Sequence, residues 1–302
     1  MISLQLIELI NTNIENFALI LRSLLDRIPI IVFGENDDDI NEIIDELTSL
    51  IKNRQELIFY TDFISKSELE NIIQLESVDF DSKRIIIKSP PSVTFKAIDI
   101  FDDFKAWILG YNDAIDDTDK KSYLLKKLIK KTDFFLSLRM ENEQKLVVKI
   151  EGKNAKILDI NFEKTMICDV MSNTEIAIEK MVRILRKKIP SDSIDSKIMT
   201  NLLDFRLEEN RVKRNLLEKK ILDFINAASR AFALLMRINQ LNEMGVPFEI
   251  SEKTLQKTIM FEECRLKRVF EFIEREWNEN YSTELKLNKS SEYADIIEGL
   301  WG

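Results

Sequence analysis

Four carboxylates crowd one short turn of the chain: Glu35, Asp37, Asp38 and Asp39 follow Gly34 directly. Asp62 lies in the loop after the next apolar run, and Ser89 lies after the one beyond that. Carboxylates and hydroxyls at the carboxyl ends of neighbouring strands can hold Mg²⁺, and through it the phosphates of a nucleotide. Glu35, Asp37 and Asp62 are therefore the candidate metal ligands. Gly34 and Ser89 are candidate ligand contacts beside them, and Asp62 also suits a ribose hydroxyl. The same residue types have a plainer use, because acid in the first turn of a helix stabilises its dipole and short polar side chains cap its free N–H groups. That capping role is the expectation for most of them, with no cofactor, and Mg²⁺ is the alternative.

The turn lacks the parts of the better-defined phosphate sites. A P-loop needs a second glycine followed by Lys and Ser/Thr, and a dinucleotide fingerprint needs further glycines; here Gly34 stands alone and no lysine follows it. The acidic first turn is similar to that of response-regulator receiver domains, where carboxylates after the first strand bind Mg²⁺. The likeness stops at the third strand, which ends in Lys88-Ser89-Pro90 without a phosphoacceptor aspartate. The chain has no histidine at all, which removes the commonest general base and metal ligand and argues against hydrolase or zinc chemistry. Cys168 and Cys264 are far apart and form no metal or disulfide pattern; both are expected to be buried as small apolar residues.

The elements that would position these residues follow from periodicity. Apolar residues from Leu6 to Leu25 recur at helical spacing, so Ile2 to Leu25 is read as a helix packed on a sheet. Three strand–helix units come next: Ile28–Phe33 with a helix from Asp38 to Ile51, Glu56–Tyr60 with Ser65–Glu76, and Arg84–Lys88 with Thr94–Leu109. The strands are short continuous apolar runs, the pattern of a parallel sheet covered on both faces. Asp37 or Asp38, Ser65 or Ser67, and Ser92 or Thr94 are the expected helix caps. A basic helix (Lys120, Lys121, Lys126, Lys127, Lys130, Lys131) then leads to Phe134–Met140, Lys145–Ile150 and Lys156–Phe162, read as an antiparallel meander that extends the first sheet, closed by a helix from Thr174 to Lys188. The lysines, like Arg183, Arg186, Lys187 and Lys188, are expected on solvated faces rather than on phosphates or lipid.

Pro190-Ser-Asp-Ser marks a boundary, after which a helix from about Asp195 to Met244 contains neither Gly nor Pro. Leu217, Ile221, Phe224, Ala228, Ala231, Leu235 and Ile238 form a heptad seam along it. Gly245 and Pro247 end it, and Ser251 caps a return helix reaching Trp277 with Leu255, Ile259, Leu266, Val269, Phe270 and Ile273 on its apolar face. The seam is the main candidate interaction surface, with the Trp301 tail as a second; its first use is to close an intramolecular hairpin. Residues 197–216 exceed the length of the return helix, which points to a dimer or to docking on the α/β domain.

Composition fits this division. The 302 residues are 45% hydrophobic and 32% charged, with net charge −9. Residues 1–118 hold 10 Lys+Arg against 23 Asp+Glu, a net −13, while the rest hold 34 against 30, so the front of the chain should repel nucleic acid. No long uncharged apolar run and no leader pattern is present, and a cytoplasmic protein without a transmembrane segment is expected. The fold class that follows is α/β: a small doubly wound, mainly parallel sheet with an antiparallel meander extension, then a long coiled-coil-like hairpin. The expected parts are 1–117, a degenerate nucleotide-binding-like unit; 118–190, the basic helix, meander and closing helix; 195–280, the hairpin; and 281–302, a polar linker and last segment. A non-catalytic scaffold or adaptor that binds protein partners or itself is the function this favours.

Overall fold

A computed structural model describes residues 5–78, 84–114, 118–141, 145–152, 158–188, 205–246, 250–261, 265–281 and 285–286. The chain divides into two compact units, Met1–Lys219 and Lys220–Gly302. The first is the α/β unit.

The opening helix is two helices, α1 (Gln5–Thr12) and α2 (Ile14–Leu25). Asn13 interrupts them: its backbone is extended and its side chain accepts the N–H of Asn16, which starts α2 afresh. The strands and helices that follow are β1 (Ile30–Gly34), α3 (Asp37–Ser49), β2 (Gln55–Ile58), α4 (Lys66–Val78), β3 (Ile85–Ser89), α5 (Thr94–Ile100), β4 (Trp107–Asn112), α6 (Thr118–Lys131), β5 (Phe134–Glu141), β6 (Lys145–Gly152) and α7 (Asn161–Lys188). The six strands form one sheet in the order β2-β3-β4-β1-β5-β6. All neighbours are parallel except β5 and β6, whose hairpin register runs from Phe134 opposite Gly152 to Glu141 opposite Lys145. The meander therefore does extend the first sheet, and β1, β3 and β4 are buried along their whole length.

One face of the sheet carries Ile31, Phe33, Ile87, Trp107, Leu109, Tyr111 and Phe135 under α4, α5 and α6. Phe59, Phe63, Phe101 and Phe104 close around Trp107 with ring centroids 5.0–6.1 Å away, mostly edge-on or tilted, the arrangement ring quadrupoles favour. α3 covers the other face. Its Ile40 lies so near Gly34 and Gly110 that a Cβ on either would come within 2.9 Å of it, and α1 joins it through Glu46, whose carboxylate accepts the Leu6 N–H at 3.0 Å. Between α2 and α7, Arg22 is buried with Asp26 (2.7 Å) and Glu163 (3.8 Å) and donates to the Asp159 carbonyl.

Several elements differ from their sequence reading. The helix expected over Thr94–Leu109 stops at Ile100; Phe101 is extended and a turn, in which Asp103 accepts the Lys105 N–H, leads into β4 at the centre of the sheet. The N-cap of α3 is Asn36, which accepts the Asp38 N–H, so neither Asp37 nor Asp38 caps it. Ser65 serves α4, accepting the Glu68 N–H, while α5 has no side-chain cap and Thr94 instead donates back to Pro90. Of the expected third meander strand, 153–157 lie outside the described residues, 158–160 form no strand, and Asn161 already begins α7, well before Thr174.

The long helix α8 (Arg206–Glu243) begins within the α/β unit; positions 195–204 lie outside the described residues. Lys213 donates to Asn11, Arg214 to Ser49, and Lys52 pairs with Glu218, at 2.6–2.7 Å. Positions 213–218 of the long helix thus dock on the α/β unit.

The helical unit holds the rest of α8, then β7 (Ile250–Ser251), α9 (Glu252–Ile259), α10 (Leu266–Trp277) and β8 (Leu285–Lys286), which pairs in parallel with β7. Gly245, at φ +80°, ends α8, and Ser251 caps α9 by accepting the Thr254 N–H. The return is broken. Met260 takes a left-handed conformation that terminates α9, and Phe261 meets Phe224 there. α10 then climbs α8 again, placing Phe272 on Phe224 and stacking Trp277 on Phe232 at 4.4 Å. Phe272 rather than Phe270 is the fully buried ring of α10. A hairpin therefore forms as expected, with a third helix added to it.

Candidate functional site

At the carboxyl ends of β1, β4 and β5 the loops converge, the place where open α/β sheets bind ligands. β4 and β5 flank β1, so Asn112 and Asp113 come up beside Gly34, and Arg139 comes up on the other side. The Asp113 N–H donates to the Gly34 carbonyl at 2.7 Å. Its carboxylate takes Lys121 of α6 at 2.7 Å and Arg139 at 2.9 Å. Both cations also stand over the Phe33 ring, 4.9 and 5.1 Å from its centre. The Asn112 side chain donates through Nδ2 to Asp37 at 2.6 Å while its Oδ1 accepts the Ala114 N–H. The cationic and anionic groups of this crest thus answer one another.

The candidate ligands fall on separate parts of the sheet. β2 lies at the edge, with β3 and β4 between it and β1, so three strand spacings, about 14 Å, separate the loop of Asp62 from that of Glu35 and Asp37. Asp62 is also engaged locally: its carboxylate accepts the Ile58 N–H at 2.6 Å, holding the tight turn in which Tyr60 adopts φ +73°. Glu35 is exposed. No group of three or more Asp, Glu, Cys or His side chains is placed to hold a metal ion among the described residues. Ser89 is fully buried and shares a 3.2 Å hydrogen bond with Thr94. Gly34 serves packing, leaving room for Ile40.

The basic helix is less solvated than its composition suggests. Lys121 belongs to the crest. Lys127 pairs with Asp99, which holds the Asp99 carboxyl below its usual range and raises the lysine. Lys131 donates to the carbonyls of Ile98 and Phe101, covering the exposed end of α5 with positive charge. In α3 and the neighbouring strands, Lys88 is buried between Asp45 (2.8 Å) and Glu56 (2.5 Å). Burial disfavours its charge, but the two carboxylates outweigh that and its pKa is raised.

The heptad seam is enclosed within the chain. Leu217, Ile221, Phe224, Ala228, Ala231, Leu235 and Ile238 are all buried, so they pack the fold instead of offering an outward surface. Phe224 shows why, since Phe261, Phe272 and the Arg268 guanidinium all close on its ring. Trp301 lies outside the described residues, as does Cys264. Cys168 is exposed on α7, contrary to the burial expected of it. Asn112 and Asp113 escaped the sequence reading because β4 did, while Lys121 was expected only on a solvated basic face and Arg139 only as a strand residue. The available signal was the run Trp107-Ile-Leu-Gly-Tyr-Asn, as short, apolar and sharply bounded as β1 and β3.

Fold and crest together define a doubly wound α/β protein with a helical unit, its sheet crest closed by its own ion pairs. No family model, no curated protein and no solved structure matches the chain. No helix among the described residues is long and apolar enough to cross a membrane.

Proposed function

We propose that the protein is a non-catalytic scaffold or adaptor whose helical unit binds a protein partner or a second copy. The observation that carries this reading is the closed crest: at the position where this fold holds substrates, Asp113 occupies Lys121 and Arg139, and Asn112 occupies Asp37. The helical unit, in contrast, presents apolar side chains outward at Leu222, at Met244 and Val246 of the α8 turn, and at Met260, which is 82% exposed. Flexible thioethers suit protein contacts of varied shape. A cytoplasmic location accords with this role.

The competing reading is a Mg²⁺-dependent enzyme or switch on a nucleotide or phosphorylated ligand, with Glu35, Asp37 and Asp62 as ligands. The strand order disfavours it. Thermal shift of the full chain with Mg²⁺ and a panel of nucleotides separates the two, since a ligand that binds the native state raises Tm. The adaptor reading expects no stabilisation. It also expects a partner captured by the full chain to be lost on Met244→Asp with Val246→Asp while Tm is retained; a nucleotide-dependent rise in Tm would overturn it.

A further inference from the structure

We propose that two copies of the chain associate by antiparallel pairing of strand β6 across a twofold axis at Val148, joining their sheets into one. The two edges of the sheet differ. β2 has four residues, with Gln55 and Glu56 exposed, the short, polar form in which proteins blunt an edge. β6 has eight, Lys145-Leu-Val-Val-Lys-Ile-Glu-Gly, and among the described residues no strand lies beyond it. Val and Ile at its middle favour an extended strand, and alternate backbone N–H and C=O groups along it point away from β5.

Symmetry restricts the register. In an antiparallel pair, opposite residues share a face, so a twofold axis perpendicular to the sheet must pass through a residue. With a strand of 145–152, only axes at Val148 or Lys149 pair seven residues. An axis at Lys149 sets that lysine against its own copy and Glu151 against Val147, and like charges directly opposite are destabilising. An axis at Val148 does the reverse. Lys145 then falls opposite Glu151 of the second copy, Val147 opposite Lys149, Leu146 opposite Ile150 and Val148 opposite itself. Both ends of the pair match in charge, and one face is continuously apolar. Within the protomer that face is the one on which β6 meets β5 at Leu138 and Leu136, so the pairing prolongs an existing apolar layer. Seven opposed positions supply about six to eight backbone hydrogen bonds. Lys149 has a second use here: it guards the edge against the competing register, as charged edge residues do.

This interface is separate from the helical unit, so it stands or falls independently of the adaptor reading. The test is the mass of the full chain by sedimentation at tens of micromolar. Twice 35.4 kDa is expected. Glu151→Lys or Lys145→Glu sets like charges opposite each other at both ends of the pair and should weaken dimerisation by about tenfold or more. The double variant K145E/E151K restores both pairs and should recover the wild-type dimer to within about threefold. Circular dichroism of all three checks the fold, and the double variant carries both substitutions, so its recovery excludes misfolding as the cause. A monomeric wild type would overturn the proposal, as would a dimer that the single exchanges leave unchanged or that the double exchange fails to restore.

Discussion

The aromatic core of the α/β unit is assembled from loops and strands spread between Phe33 and Phe135, whereas that of the helical unit comes from one helix and the return that follows it, Phe224 to Tyr281. Their charges divide in the same way. The α/β unit gathers Asp113, Lys121 and Arg139 at the carboxyl ends of its strands and sets Lys88 of β3 between Asp45 of α3 and Glu56 of β2, because parallel strands and their covering helices bring distant segments together. In the helical unit Arg268 is buried against the face of Phe224. A sheet concentrates polar groups from distant positions, so it can build a site or, as here, close one; a helical hairpin satisfies its backbone internally and is specified chiefly by an apolar stripe.

Truncating the centre of each core is the strongest way to separate them. Trp107→Ala removes the ring on which Phe59, Phe63, Phe101 and Phe104 converge, and Phe224→Ala removes the ring shared by Phe261, Phe272 and Arg268; each should cost about 3–5 kcal/mol. In denaturant titrations followed by Trp fluorescence and far-UV circular dichroism, the two variants should shift different parts of the transition. A single transition displaced equally by both would show that the units unfold as one and erase the distinction.

The glycines sharpen the contrast at smaller amplitude. A Cβ at Gly110 would stand 2.8 Å from Pro91 and 2.9 Å from Ile40, so Gly110→Ala should overpack the sheet by about 1–3 kcal/mol. Gly245→Ala meets no atom within 4 Å and should cost about 1–2 kcal/mol through its positive φ alone. In a double-mutant cycle, Ile40→Ala, which removes the Cγ2 atom 2.9 Å from the Gly110 Cβ, should lower the cost of Gly110→Ala and leave that of Gly245→Ala unchanged; an unaltered Gly110→Ala cost would refute the packing account.

These contrasts also explain what could be read from the sequence. Periodicity located β1 and β3, since continuous apolar runs require burial on both faces, and it located the seam from Leu217 to Ile238, all buried as a packed stripe should be. It missed β4 because Phe101, Phe104 and Ala106 fit a helical face as well as a loop. It could not supply strand order. The joint of Asp37 and Asp62 needed β1 beside β2, and the actual crest of Asp113, Lys121 and Arg139 depends on β4 and β5 flanking β1, a relation between segments that no local spacing encodes. The break at Met260 was likewise hidden, because a left-handed non-glycine residue leaves no mark in an apolar pattern.

The smallest expected effect is acidic. Glu15 is held below its usual pKa by hydrogen bonding and charge from Lys164, Asp99 first by the Lys127 hydrogen bond, and Asp102 by Lys66 and then Lys131. All three carboxylates belong to the α/β unit. A folded pKa below the unfolded one means that the native state favours the ionised carboxylate, so the stability from these pairs is complete above the ordinary carboxylate range and is lost as pH falls through the depressed values. The groups are largely exposed, so salt screens them and the loss is modest. Tm of the α/β transition should therefore fall by a few degrees on going from pH 5 to pH 3, less at high salt. The triple variant Glu15→Gln, Asp99→Asn, Asp102→Asn should start lower and lose less over the same interval. If it declined in parallel with the wild type, the surface pairs would contribute nothing that pH can remove.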